Sequence, residues 1–190
     1  MNKCTIQSCA KCDIAIKRKN IVNGDGDINN KFYIISEAPG YYEDKLGIPF
    51  VGNSGKLLNV MLDLIGLTRS DVYVTNVIKC RPPNNRSPLV VEINNCKGNL
   101  KCELSHKPKL ILLLGNTALN AYFGLNSLKI SDMIGKYVVY NNAVIIATYH
   151  PSYLLHNVDN KVLWNKYVRS FKLVSYMYRL LINPLTTIKI

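Results

Sequence analysis

Apolar residues recur in two rhythms along this chain. Short, nearly unbroken runs at Phe32–Ser36, Tyr73–Val77, Lys109–Leu114 and Ala143–Ala147 have the length and make-up of strands buried on both faces. Val138–Tyr140 adds a further strand, facing Ala143–Ala147 across an Asn141-Asn142 turn. Between these runs the spacing lengthens to three and four. Leu57, Met61, Leu64 and Ile65 mark one face of a helix over about 55–66, with Ser54 as its cap and Gly66 as its stop. Further helices are predicted in part of 89–105, over Asn116–Phe123 and over roughly 159–182, the last stopped by Pro184. Strands separated by helices imply an α/β fold whose mostly parallel sheet is covered on both faces. Residues 1–30 read as an irregular lead-in ending in the turn-rich Asn23–Asp27. No repeat or linker divides the chain, so one domain over 1–190 is expected.

Composition narrows the function classes. With 190 residues and 48% hydrophobic content, the chain can bury a full core and is not a disordered segment. Apolar stretches such as Leu110–Leu114 are far too short to cross a bilayer. The start, Met1-Asn2-Lys3-Cys4, lacks a hydrophobic signal core. A soluble, intracellular protein with no membrane partner is the expectation. Lys and Arg outnumber Asp and Glu by 24 to 12, a formal charge of +12. That excess favours polyanions, nucleic acid first and anionic membrane second. No block of consecutive basic residues occurs, so the charge is spread over a folded surface.

Six cysteines in an intracellular chain point to metal more than to disulfides. Cys9 and Cys12 form a Cys-x-x-Cys pair, and Cys80 and Cys96 form a looser pair flanking a proline-rich loop. Four thiolates suit tetrahedral zinc or an iron–sulfur cluster equally well. A redox pair at Cys9 and Cys12 is disfavoured, because no strand precedes them. Cys4 and Cys102 are left over, as buried apolar cysteines or free thiols.

Unusual residues gather where strands end. After Phe32–Ser36 comes a long loop, Glu37 to Phe50, rich in glycine and proline, with two acids (Glu43, Asp44) and the lone aromatic Phe50. Carboxyl ends of strands are where open α/β sheets place ligand sites, and Phe50 offers a flat face to something planar. Asn76, ending the next strand, carries an amide that both donates and accepts, as reading a pyrimidine edge requires. Taken alone, Asn76 is better explained by a local turn contact. His150 precedes Pro151, which holds it in an extended turn, beside Ser152 and the pair Leu154-Leu155.

Glu37-Ala38-Pro39-Gly40, Glu43 through Gly55, Asn76 through Pro88, Leu114 through Leu119 and His150 through Leu155 follow one another in an order that resembles the uracil-DNA glycosylases. The cysteine framework is similar to that of the iron–sulfur type, family 4. The resemblance covers about residues 4–180. It implies a three-layer α/β/α sandwich around a four-stranded sheet, and a [4Fe–4S] cluster on Cys9, Cys12, Cys80 and Cys96. It also implies a monomer acting on uracil-containing DNA by hydrolysis, leaving an abasic site. In that reading Phe50 stacks on uracil, Asn76 bonds its edge and Glu43 lies against C5, where it obstructs a thymine methyl. His150 donates to O2 with backbone N–H groups near Ala38 and Gly40, and Glu37 and Asn85 share the positioning of water. Leu154 is the wedge that fills the gap left by the flipped base, and Ser152, Arg81 and Arg86 touch phosphates. Ser36, His156 and Ile134 depart from the pattern, at positions where the family has glycine, arginine and arginine. The alternatives are a non-catalytic DNA-binding scaffold on the same fold, a zinc-stabilised nucleic-acid-binding domain, and a family 5 glycosylase of broader base range.

Overall fold

The computed structural model describes residues 4–184; the start at Met1–Lys3 lies outside them. The chain runs α1 (Ile14–Lys17), β1 (Phe32–Ser36), α2 (Tyr41–Leu46), α3 (Asn53–Leu64), β2 (Tyr73–Asn76), α4 (Val90–Leu104), β3 (Leu110–Leu114), α5 (Asn116–Phe123), α6 (Ile130–Met133), β4 (Tyr137–Tyr140), β5 (Ala143–Thr148), α7 (Pro151–Leu155) and α8 (Lys161–Leu181). The strands form one sheet in the order β2-β1-β3-β5-β4. Four are parallel, and β4 pairs antiparallel with β5. The sheet therefore has five strands, not the four the resemblance implied. The extra strand exists because Asn141 and Asn142 both take positive φ, 49° and 62°, the geometry of a two-residue hairpin turn.

Alternation along the buried strands sends side chains into two cores. Phe32, Ile34, Leu110, Leu112 and Ile146 face Leu58, Met61, Leu62 and the Tyr167–Phe171–Val174 stripe of α8. Tyr33, Ile35, Ile111, Leu113 and Ile145 face Ile14, Leu100 and the Ala118–Leu119 pair of α5. Each such side chain withdrawn from water contributes about 1.5–3 kcal/mol, so the apolar β3 is clamped between helical layers. Within α3 the buried face is Leu58, Met61 and Leu62, while Leu64 is exposed. Gly52 rather than Ser54 is its cap.

The strand order reverses between β1 and β3. Segments leaving the carboxyl ends of those two strands diverge and open a crevice, above which the loops after β2 and β5 also converge. Among the described residues no helix is long and apolar enough to cross a membrane. Cys4 and Cys102, expected as buried or free thiols, are joined as a disulfide across a separation of 98 residues. Folding of α4 brings Cys102 to the amino-terminal segment, which spacing alone does not reveal.

Candidate active site and cysteine centre

At that crevice lies a pocket of about 740 Å³, walled by Glu37, Glu43, Phe50, Asn76, Asn85 and His150 among others. Its size suits a small planar ligand with room for the chain that carries it. The loop after β1, read from sequence as irregular, contains the short helix α2. Glu43 is the reason. Its carboxylate accepts from the backbone N–H groups of Gly40 (3.1 Å), Val51 (2.9 Å) and Gly52 (2.8 Å), so one side chain pins both ends of the loop with charge-assisted bonds. The Gly40 N–H is thereby committed to Glu43, and is not a free donor for a ligand oxygen. Asp44 ties the same helix to the amino-terminal segment through the N–H groups of Lys19 (2.9 Å) and Asn20 (3.2 Å).

Phe50 sits with φ 58° at the end of this loop. A Cβ on Gly55 would stand 1.8 Å from the Phe50 carbonyl oxygen, so only glycine lets α3 pack beneath the turn. The Phe50 ring centroid is 6.3 Å from that of His150, with the planes 36° apart. Asn76 ends β2 in register with Ser36. It is buried, and its Oδ1 accepts no hydrogen bond. A buried, unpaired amide oxygen costs free energy until a ligand donor meets it.

His150 is extended, φ −66° and ψ 139°, and caps α7. Its Nδ1 lies 3.2 Å from the Ser152 backbone N–H and 2.7 Å from Ser152 Oγ. A backbone N–H only donates, so Nδ1 is the acceptor and the neutral ring carries its proton on Nε2. Burial lowers the imidazole pKa to about 4, against the smaller opposing pull of Glu43. The ring is thus a neutral donor near pH 7. Ser152 turns both its donors to His150, so neither is free for the phosphate contact expected of it.

Leu154 is fully buried in the core with Leu58 and Met61, so it has no surface with which to enter a base stack. Its neighbour Leu155 is 37% exposed and lines the pocket mouth. In the proline-rich loop, Arg81 Nε donates to Asn85 Oδ1 at 2.6 Å while its guanidinium stacks 5.2 Å from the Tyr41 ring centre. Arg86 forks onto Glu92 at 2.9 and 2.5 Å. Its charge is already answered by a carboxylate whose pKa that pairing lowers, which argues against the phosphate role expected of Arg86. Across the crevice, Thr117 Oγ1 donates to Glu37 Oε2 at 2.5 Å.

Cys9, Cys12, Cys80 and Cys96 are free and line one small cavity beside the amino-terminal segment. Arg18 donates to Cys80 Sγ at 3.2 Å, and Asn99 to Cys96 Sγ at 3.4 Å. Donors aimed at sulfur suit thiolates bound to a metal. Among the described residues no three His, Cys, Asp or Glu side chains converge on a single-ion site. Burial raises the Cys12 and Cys80 thiols, with Arg18 opposing at Cys80.

Sequence reasoning missed Thr117, Leu155, and the buried pair Lys79–Glu103 (2.8 Å) behind Asn76. A hydroxyl two residues past Gly115, in a helix leaving a strand end, was the available signal for Thr117.

The family described as the uracil DNA glycosylase superfamily matches residues 23–172. The chain is 44% identical over 161 residues to a type-4 uracil-DNA glycosylase of Archaeoglobus fulgidus, covering 80% of each chain. It is 38% identical over 159 residues to the type-4 protein of Thermotoga maritima, covering 83% of each. A type-5 uracil-DNA glycosylase of Pyrobaculum aerophilum is more distant, 32% identical over 67% of this chain and 63% of its own length. With the crevice, the strand-end residues and this likeness together, the chain belongs to the uracil DNA glycosylase superfamily, on its type-4 branch.

Proposed function

We propose that this protein excises uracil from DNA by hydrolysing the bond between N1 of the base and C1′ of the sugar, leaving an abasic site. The observation that carries the reading is Asn76, a buried amide with an unpaired oxygen, set in a pocket between Phe50 and a neutral histidine. Uracil presents an N3–H donor and an O4 acceptor. Asn76 Oδ1 accepts from the first and its amide N–H groups donate to the second. Cytosine presents the reverse pattern and leaves both groups unpaired, which disfavours it strongly.

The base reaches this pocket only after leaving the stack, at a cost of a few kcal/mol. Phe50 then covers its face, and Glu43, held rigid by three backbone donors, presents a wall where thymine carries its methyl. As the C1′–N1 bond breaks, its electron pair passes to the uracil ring and negative charge grows on O2. His150 Nε2–H donates to that oxygen, with backbone N–H groups near Ala38. Such a donor typically supplies about 2.7–4 kcal/mol of transition-state stabilisation. The uracil leaves as an anion, so the histidine needs no proton to give away. Water adds its hydroxide to C1′ and its proton passes to Glu37. Leu155, exposed at the mouth, fills the gap in the stack, while Arg81 and the +12 surface draw in the backbone.

The four free cysteines fit a [4Fe–4S] cluster. All four line one cavity, and Arg18 and Asn99 donate to two of the sulfurs, a thiolate donor set of the kind that holds such clusters. Cys9, Cys12, Cys80 and Cys96 would hold it, and it would tie the amino-terminal segment to the loop after β2 and to α4.

The test is cleavage of a labelled oligonucleotide carrying one uracil, developed with alkali, by wild type and His150→Ala, with thymine and cytosine strands as controls. Alkali-labile product from the uracil strand alone, reduced about 100-fold or more in the variant, is expected. A folded wild-type protein that yields no product overturns the proposal and leaves a DNA-binding scaffold.

A further inference from the structure

Glu37 and Asn85 both line the pocket, and each is held by a neighbour outside the base-reading set. Arg81 Nε has no lone pair to offer, so the Asn85 atom 2.6 Å from it must be the carbonyl oxygen. What Asn85 keeps for the pocket is its NH₂, a pure donor. Glu37 is the opposite case. Thr117 Oγ1 donates to its Oε2 at 2.5 Å, and among the described residues that is the one side-chain bond it makes. Oε1 keeps its lone pairs, a pure acceptor.

Topology sets this pairing. Glu37 is the residue after β1, and Thr117 lies in the first turn of α5, directly after β3. Those strands are neighbours in the sheet, and the crevice opens between the segments that leave them. Gly115, with φ 89°, opens α5, and a Cβ there would come 3.3 Å from the His150 Cβ. The start of α5 therefore backs both His150 and Glu37, without lining the pocket through Thr117 itself.

From this arrangement we infer that Thr117 is a positioning residue for hydrolysis: its hydroxyl fixes the Glu37 carboxylate so that Oε1 accepts the proton of the attacking water while Asn85 donates to the water's oxygen. The inference rests on the glycosylase reading above and adds the group that orients its base. Water attacking C1′ needs a lone pair free toward carbon and an acceptor for its proton. A donor at Asn85 and an acceptor at Glu37 orient it that way. A carboxylate free to rotate would spend much of its time turned away.

The experiment compares wild type, Thr117→Val and Thr117→Ser on uracil-containing single-stranded DNA. It measures single-turnover rate, DNA affinity, melting temperature, and the ratio of methyl glycoside to abasic product in mixed water and methanol. Valine keeps the shape and removes the donor. The expected result is a rate about tenfold lower, a part of the 10²–10⁴ that a positioned base supplies, with affinity and melting temperature unchanged. The methanol product ratio is expected to shift at least about twofold, because the site no longer orients water. Serine restores both rate and ratio. If wild type excises uracil and the valine variant matches it in rate and product ratio, the inference fails alone. A serine variant as slow as the valine one also overturns it, since the hydroxyl is then irrelevant. If wild type leaves uracil in place, the glycosylase reading fails and takes the inference with it.

Discussion

Leu154→Ala and Leu155→Ala separate the two readings of the turn after His150. Leu154 is wholly buried in the core where α7 packs on α3. Truncating a leucine so placed costs about 2–5 kcal/mol, transfer and cavity terms together. In a chain of this size that lowers Tm by roughly 4–20 °C, at about 2–4 °C per kcal/mol. Excision by the fraction that stays folded is expected to be near normal on either kind of strand. Leu155 is 37% exposed, so its truncation changes stability by no more than about 0.5 kcal/mol. Its effect falls on base flipping. Opening a paired uracil costs a few kcal/mol, and if the wedge returns about 2 kcal/mol of that, kcat/KM on duplex falls about 30-fold. A single strand has no stack to refill, and its kcat/KM stays as in wild type. The assay is thermal unfolding of each variant beside kcat/KM on matched single- and double-stranded uracil oligonucleotides, below both melting points. A stable Leu154→Ala protein with a duplex-specific loss would refute the assignment, because a buried side chain would then be acting on the helix.

Other expectations follow from the same geometry. His150 has a folded pKa of about 4, below its ordinary 6.5; the unfolded chain binds its proton first, so stability is present above pH 6.5 and is lost as pH falls from there toward 4. NMR titration of the ring should show it neutral at pH 5.5, and a midpoint near 6.5 would show that burial does not govern it. With the proposed cluster in place, protein isolated without oxygen is expected to be brown and Cys80→Ser to lack that visible absorption and to have a lower Tm; a variant as coloured as wild type would remove Cys80 from the centre. Arg86→Ala should leave the slope of log affinity against log salt unchanged to well within one unit, because Glu92 already neutralises that charge. A slope smaller by about one would mean that Arg86 leaves Glu92 for a phosphate. Asn76→Leu should retain fold and DNA binding while uracil excision falls by about 100-fold or more; undiminished excision would place base reading elsewhere.

Periodicity and strand-end chemistry were enough to outline this protein. β1, β3 and β5 were readable because core strands of a parallel sheet are continuous apolar runs, and β4 because Asn141-Asn142 marks a hairpin. Glu37, Phe50, Asn76 and His150 stood out as polar or aromatic residues where apolar runs stop, and the sheet does bring all four to one pocket. α2 was hidden, since Gly40 and Gly47 at its ends read as loop, and what stabilises it is a carboxylate bonded to backbone eight and nine residues away. The Cys4–Cys102 bond was equally hidden, because pairing across 98 residues depends on where α4 packs.

By itself, then, the sequence determined the α/β class, the strand ends that carry the chemistry and the grouping of four cysteines, because burial patterns and residue types are local properties. Only the tertiary structure decided which donor meets which acceptor. It turned Ser152 to His150, Arg86 to Glu92 and Thr117 to Glu37. It also buried Leu154 and exposed Leu155, since each residue of a helix turns about 100° from the last and only the packing of α7 against α3 says which one faces inward.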